Sequence, residues 1–214
     1  DVLDSFRHPF YFKYLEKWFC RRADFITIPV KSAITGYYPE FHHKIRIIPQ
    51  GFDFNLNQVK SENIQNEIPC FAYAGGFLKG IRDPDPLLKY LTGLDIPFRF
   101  LVYTNTPELL DPYREKLNGK LEVYGFIPRE QLLQILRSMS FLINFDNNTS
   151  LNVPSKLIDY ALTGRPVLNI KREFKGDEVK AFLEGDYRYR MPLPDPEHYH
   201  IRNISKLFLD LLSS

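Results

Sequence analysis

From Pro69 onward the chain alternates between short runs of β-branched and aromatic residues and stretches whose apolar positions recur at helical spacing. The runs predict strands at Cys70 to Ala74, Phe98 to Tyr103, Leu121 to Tyr124, Phe141 to Phe145 and Val167 to Ile170. The periodic stretches predict helices at Pro84 to Leu91, Pro107 to Leu117 and Arg129 to Met139, and a short one opening at Pro154. Strands that read as near-continuous apolar runs belong in a parallel sheet covered on both faces. Right-handed crossovers between them give an α/β, doubly wound, Rossmann-like domain. Ligands bind such sheets beyond the carboxyl ends of the strands. Three turns at those ends carry unusual residues: Gly75 to Gly80, Gly125 to Pro128, and Asp146 to Pro154.

The leading residues follow a shorter pattern: a helix at Tyr11 to Arg22, a strand at Asp24 to Ile28, a helix after Lys31 and a strand at Lys44 to Ile48. Two βα units cannot bury both faces of a sheet, so this piece is expected to be the tail end of a second Rossmann-like domain. Asp1 is an implausible natural start, and upstream sequence is expected to be missing. After Pro49-Gln50-Gly51-Phe52-Asp53, the polar and aperiodic Asn55 to Glu67 reads as a connecting segment. The expected organisation is residues 1–50, a linker at 51–68, the main domain at 69–186, and a C-terminal helical segment at 187–214 carrying Ile204, Leu207, Phe208 and Leu211.

A chain of 214 residues, 44% of them hydrophobic, can bury an ordinary core without disulfides or metal. Its 28 basic residues exceed 26 acidic ones by only two, which argues against a dedicated nucleic-acid surface. Cys20 and Cys70 lie far apart in a chain with no secretory leader in view, which favours reduced thiols and a cytoplasmic setting. Apolar runs such as Ser140 to Phe145 are far shorter than a bilayer span, so membrane association is expected to be peripheral at most.

The densest chemical signal is Asn152 to Leu168. Pro154 suits a first helical turn and Gly164 the left-handed position just past a helix end. At 100° per residue, Leu157, Ile158, Ala161 and Leu162 are expected on a packed face, with Ser155, Lys156, Asp159 and Thr163 on a polar one. The first-turn N–H groups, with Ser155 and Lys156, suit phosphate oxygens. Asp159, one turn deeper, suits the vicinal hydroxyls of a ribose or sugar. An ordinary amphipathic helix with a solvated polar face carries the same residues. Gly75, Gly76 and Gly80 allow close backbone approach, while Lys79 and Arg82 supply cations. Their spacing is not that of the dinucleotide fingerprint, and a flexible loop with solvated cations fits as well. The Gly125-Phe126-Ile127 turn has backbone groups that suit a nucleobase edge, or is simply a strand-to-helix turn. His42 and His43 have no neighbours at ligand spacing, so no metal site is expected and both are assigned to a surface loop. No nucleophile elbow is present, and Trp18, near Tyr11, Tyr14 and Phe19, is assigned to packing.

Together these residues resemble the large group-1 family of retaining glycosyltransferases, of the type-B architecture with two Rossmann-like domains. The carriers are Ile47 to Asp53, Tyr73-Ala74-Gly75-Gly76, Tyr124-Gly125-Phe126-Ile127, and Pro154 to Tyr160 with Thr163-Gly164-Arg165-Pro166-Val167. The resemblance implies that residues 69–186 bind a nucleoside diphosphate sugar and that residues 1–50 end the acceptor-side domain. It implies transfer of the sugar to an acceptor such as a glycan or lipid-linked sugar, in polysaccharide biosynthesis, with no further cofactor. Lys79, Arg82 and Lys156 would be catalytic, stabilising the leaving diphosphate. Gly75, Gly76, Gly125, Phe126, Ile127, Asn147, Asn148, Pro154, Ser155 and Asp159 would bind the donor. The segment alone would be inactive without the missing domain, through which peripheral membrane association would also come. The family often carries a second acid where Leu151 stands, with Asp146, Asn147 and Asn148 as nearby substitutes. That departure motivates an alternative, a non-catalytic nucleotide-sugar-binding module of a polysaccharide assembly system. A sugar-nucleotide epimerase is disfavoured because the turn at Gly75 to Gly80 lacks the dinucleotide fingerprint.

Overall fold

The computed structural model describes residues 9–54, 66–146 and 155–213, the side chain of Ser155 excepted. These divide into two compact units, one drawn from Asp1–Phe54 and Asp195–Ser214, the other from Asn55–Thr149 and Pro154–Pro194. The first unit opens with α1 (Phe12–Arg22), β1 (Ile26–Ile28) and β2 (Ile45–Ile47). The second contains β3 (Cys70–Ala74), α2 (Asp85–Thr92), β4 (Arg99–Tyr103), α3 (Asp111–Arg114), β5 (Leu121–Tyr124), α4 (Arg129–Arg137), β6 (Phe141–Phe145), α5 (Ser155–Thr163), β7 (Val167–Ile170) and α6 (Gly176–Leu183). The last helix, α7 (Ile201–Leu212), belongs to the first unit.

The second unit is the doubly wound α/β fold that the alternation predicts. Its five strands are all parallel in the order β5-β4-β3-β6-β7. Phe71 of β3 is in register with Phe100 of β4 and Phe141 of β6. Its ring stacks on both, with centroids 4.6 Å away on each side. Alternation sends Phe71, Tyr73, Phe100, Val102, Phe141 and Ile143 to one face, against Leu87, Leu88 and Leu91 of α2 and Val179 and Phe182 of α6. Cys70, Ala72, Leu101, Tyr103 and Leu142 face the other way, against Leu136 of α4 and Leu157 and Tyr160 of α5. Helices on both faces leave the strand ends as the exposed edges.

The first unit is built around the parallel pair β1 and β2, with Ile26 opposite Ile45. Lys44 donates from Nζ to the carbonyls of Cys20, Arg21 and Ala23 at 2.8–3.2 Å, so a cation satisfies the open end of α1. Gly51 packs where a Cβ would come within 2.7 Å of Ile201 Cδ1 on α7, which explains a glycine there. Both cysteines are buried and unbridged. Among the described residues no helix is long and apolar enough to cross a membrane.

Several local expectations are corrected. The helix expected at Pro107 to Leu117 is a 3-10 turn, Pro107–Leu110, followed by the single-turn α3. Pro112 has no N–H to bond the carbonyl four residues back, so a continuous α-helix breaks there. The helix after Lys31 is also 3-10, Lys31–Gly36, and ends on the weak helix formers Thr35 and Gly36. His42 and His43 lie in a 3-10 helix, Pro39–Lys44, rather than a loop, and His42 Nε2 bonds the Tyr37 carbonyl at 2.9 Å. Trp18 is 47% exposed, held edge-on to Phe19 with Arg22 over its ring, so it is not a core residue. The C-terminal helix begins only at Ile201, after the 3-10 turn Pro196–Tyr199.

The stacked ring of Phe71 should be the costliest single truncation in the sheet. Phe71→Ala is expected to destabilise the protein by about 3–5 kcal/mol. Phe126→Ala, at a ring 93% exposed, should change stability by less than about 0.5 kcal/mol. Urea denaturation of the two variants checks the contrast.

Candidate functional site

The strand order places a topological switch point between β3 and β6, because the chain builds one half of the sheet outward from β3 and the other outward from β6. The two strands pair only at Phe71↔Phe141 and Ala72↔Leu142. Above that point Tyr160 of α5 bridges them: its hydroxyl accepts from the Ala74 N–H at 3.0 Å and donates to the Ile143 carbonyl at 3.1 Å. One buried side chain thus satisfies both backbone groups. Burial pushes the Tyr160 phenol well above its usual range, so it stays protonated.

A cavity of about 380 Å³ opens beside this bridge. Ala74, Gly75 and Gly76 border it after β3, Tyr103, Thr104 and Asn105 after β4, and Gly125, Phe126 and Ile127 after β5. Arg129, Leu132 and Leu136 of α4 and Lys156, Asp159 and Tyr160 of α5 complete it. The glycines at its edge are constrained. Gly75 has φ +148°, and a Cβ on Gly76 would meet Asn105 Oδ1 at 2.9 Å. Tyr73 donates from its hydroxyl to the Gly76 carbonyl at 3.0 Å, fixing the turn from below.

Two charged groups on α5 dominate the electrostatics. Lys156 buries its Nζ with no hydrogen-bond partner, 4.8 Å above the centre of the Tyr73 ring. Burial, reinforced by the nearby Arg82 cation, pushes its pKa down to about 7. Asp159 is held by Arg129, whose Nε and Nη2 both donate to Oδ1, at 2.9 and 2.6 Å. The pair is 38% and 27% exposed, so it adds little to stability.

The structure gathers Gly75, Gly76, Gly125, Phe126, Ile127, Lys156 and Asp159 around one cavity. Arg82 lies close enough to act on Lys156 but does not line the cavity. Lys79 is exposed on the same loop, and Gly80 turns with φ +79°, its N–H donated to Asp83 Oδ2 at 3.0 Å. Asn147, Asn148 and Pro154 lie outside the described residues, as does the side chain of Ser155. Gly164 has φ +68°, the left-handed helix end expected of it. The reading of α5 as one face that packs and one that faces a cleft holds for Leu157, Ile158 and Leu162, which are buried, and for Lys156 and Asp159, which border the cavity, but not for Thr163. Tyr160 and Thr163 are 1% exposed and the Lys156 ammonium is sequestered, so the helix is buried around most of its circumference. Residues that sequence reasoning passed over are Thr104, Asn105 and Arg129. Arg129 was visible only as a first-turn cation, and its partner stands thirty residues away.

No family model matches the chain, and no curated protein matches it. Solved structures do. The lipopolysaccharide outer core galactosyltransferase WaaB superposes with a TM-score of 0.60 at 12% identity, over 89% of this chain and 62% of that one. AviGT4, a glycosyltransferase involved in avilamycin A biosynthesis, gives 0.54 at 15% identity, over 88% and 64%. Anabaena HepE in complex with UDP and glucose gives 0.60 at 11% identity, over 100% and 70%. The chain thus spans just under two thirds of the length of the first two. At these identities the likeness is one of fold: the chain has the Rossmann-like fold of type-B glycosyltransferases.

The buried lysine makes stability depend on pH in a definite direction. Below about 7 Lys156 is charged in both states and its burial cost is fully felt. Between about 7 and the ordinary 10.5 the unfolded chain keeps a proton that the folded protein has released, so stability rises with pH through that window. Lys156→Met should be more stable than wild type at pH 6, by roughly 3–5 kcal/mol, with the difference shrinking toward pH 10. Paired urea melts across that range check the sign. A difference independent of pH would mean that Lys156 stays protonated while buried.

Proposed function

We propose that this chain binds a nucleoside diphosphate sugar in the cavity at the switch point and supplies the donor side of a glycosyltransferase. The observation that carries this reading is the pairing of an unpartnered lysine with an anchored aspartate one turn apart on α5, both bordering one cavity at the carboxyl ends of the sheet. A diphosphate and its ribose are adjoining groups of opposite requirement, one needing cations and the other an acceptor for hydroxyls. Lys156 and Arg82 meet the first need and Asp159 the second. Lys79, exposed on the loop after β3, is the third cation of the proposal. The Gly125-Phe126-Ile127 turn offers backbone groups and the exposed Phe126 ring to a nucleobase. The common fold with solved glycosyltransferases, HepE with UDP and glucose among them, supports the assignment.

In this reading, charge that builds on the leaving diphosphate is stabilised by preorganised cations in a partly desolvated site. Lys156 is protonated when the phosphates arrive, because a neighbouring anion favours the charged form. The sugar passes to an acceptor such as a glycan or lipid-linked sugar, with retention of anomeric configuration as the family resemblance implies. The acceptor is held by a part of the enzyme outside this chain, so the chain alone transfers poorly.

Titration calorimetry tests the donor site. UDP should bind more tightly than uridine at moderate salt, and equal affinities would remove the diphosphate site. Asp159→Ala should weaken UDP binding by roughly 1.5–3 kcal/mol, the range for losing hydrogen bonds to a charged group, and leave melting unchanged because its ion pair is partly exposed. A lowered melting temperature with unchanged affinity would make Asp159 a structural residue instead.

A further inference from the structure

The ion pair at the cavity has an asymmetry that stability does not explain. Two guanidinium N–H groups of Arg129, Nε and Nη2, converge on Oδ1 of Asp159. The other oxygen, Oδ2, accepts no hydrogen bond from any described residue. Arg129 reaches this position because of where it stands on α4. Arg129, Leu132 and Leu136 follow helical spacing and all border the cavity, with Leu136 fully buried and Leu132 half-buried against the sheet. The apolar stripe of α4 therefore anchors the helix, and its first turn delivers the guanidinium to α5.

We propose that Arg129 is a positioning residue that gives this site its selectivity for a ribose diol. Two charged hydrogen bonds fix the Asp159 carboxylate, and Oδ2, with lone pairs to spare, is left as the acceptor for vicinal hydroxyls. A carboxylate without this anchor rotates freely and spends its acceptors on water, so the two hydroxyls gain little from meeting it. The inference rests on the nucleotide reading above and adds to it a determinant that touches no part of the ligand's phosphates. Direct contact of the guanidinium with ligand is a different arrangement. It would change overall affinity without changing the preference for one sugar over another.

The test compares wild type, Arg129→Met and Arg129→Lys by calorimetry. The probes are the tightest-binding of UDP, ADP and GDP and its 2′-deoxy counterpart. Wild type should prefer the ribonucleotide by about tenfold or more, the factor for one hydrogen bond to a charged group. Arg129→Met should reduce that preference to about twofold or less. Arg129→Lys, which keeps the charge and one bond, should retain about threefold. All three proteins should melt within about 2 °C of one another, since the pair is partly exposed. A wild-type preference that survives in Arg129→Met overturns the proposal, whatever happens to overall affinity. So does a preference lost equally in both variants together with a fall in melting temperature, which would make the pair structural. Wild type that binds ribo and 2′-deoxy nucleotides equally overturns this inference alone. Wild type that binds none of the three overturns the nucleotide reading as well.

Discussion

The stack of Phe100, Phe71 and Phe141 across three neighbouring strands sets the register on which everything else in the second unit depends. Side chains alternate with period two, so a slip of one residue would turn Phe71 and Tyr73 out of one core and Cys70 and Ala72 out of the other. With the three rings level, the carboxyl ends of β3 and β4 come out level too. The turns Gly75–Gly76 and Thr104–Asn105 then face each other closely enough that a Cβ at 76 would displace the Asn105 side chain. The shape of the cavity is thus a consequence of core packing several residues below it.

Helix α5 carries the conflict between that packing and chemistry. It closes the switch point with Tyr160 and contributes Leu157, Ile158 and Leu162 to the core, yet it also bears Lys156 and Asp159. A buried, unpartnered ammonium is costly, and the depressed pKa of Lys156 expresses that cost. Methionine at this position would pack against Tyr73 without it. The lysine makes physical sense in a cavity that receives an anion, where ligand charge offsets what folding gives up.

The sheet was legible in the sequence because each strand is a short, nearly unbroken apolar run. β3, β5, β6 and β7 have the observed ends, and β4 differs by one residue. Helices read less well, for reasons specific to each. Pro112 broke α3, and α6, only eight residues long with Val179, Phe182 and Leu183 as its buried positions, carried too little periodicity to be marked. The two faces of α5 were legible for the leucines, Lys156 and Asp159, but not for Thr163, whose hydroxyl is buried and donates to the Tyr160 carbonyl within the helix. The site was legible where it depended on turns after strands, since glycines and the Lys156–Asp159 spacing are local features. Arg129 was not, because its role comes from the packing of α4 on α5 and leaves no trace in spacing along the chain.

That packing also answers a question raised by α5 itself. Residues three apart on a helix are neighbours, about 5–6 Å between Cβ atoms, and a lysine and an aspartate so placed ordinarily pair. Here they do not: Asp159 is taken by Arg129, while the Lys156 ammonium sits over Tyr73 without a hydrogen bond. Arg129 therefore does more than hold a carboxylate. It bonds Oδ1 of Asp159 while the Lys156 ammonium stays over Tyr73, so a cation and an acceptor border the cavity as separate features. That separation is what the proposed ligand asks for, with phosphates at one end and a ribose beside them.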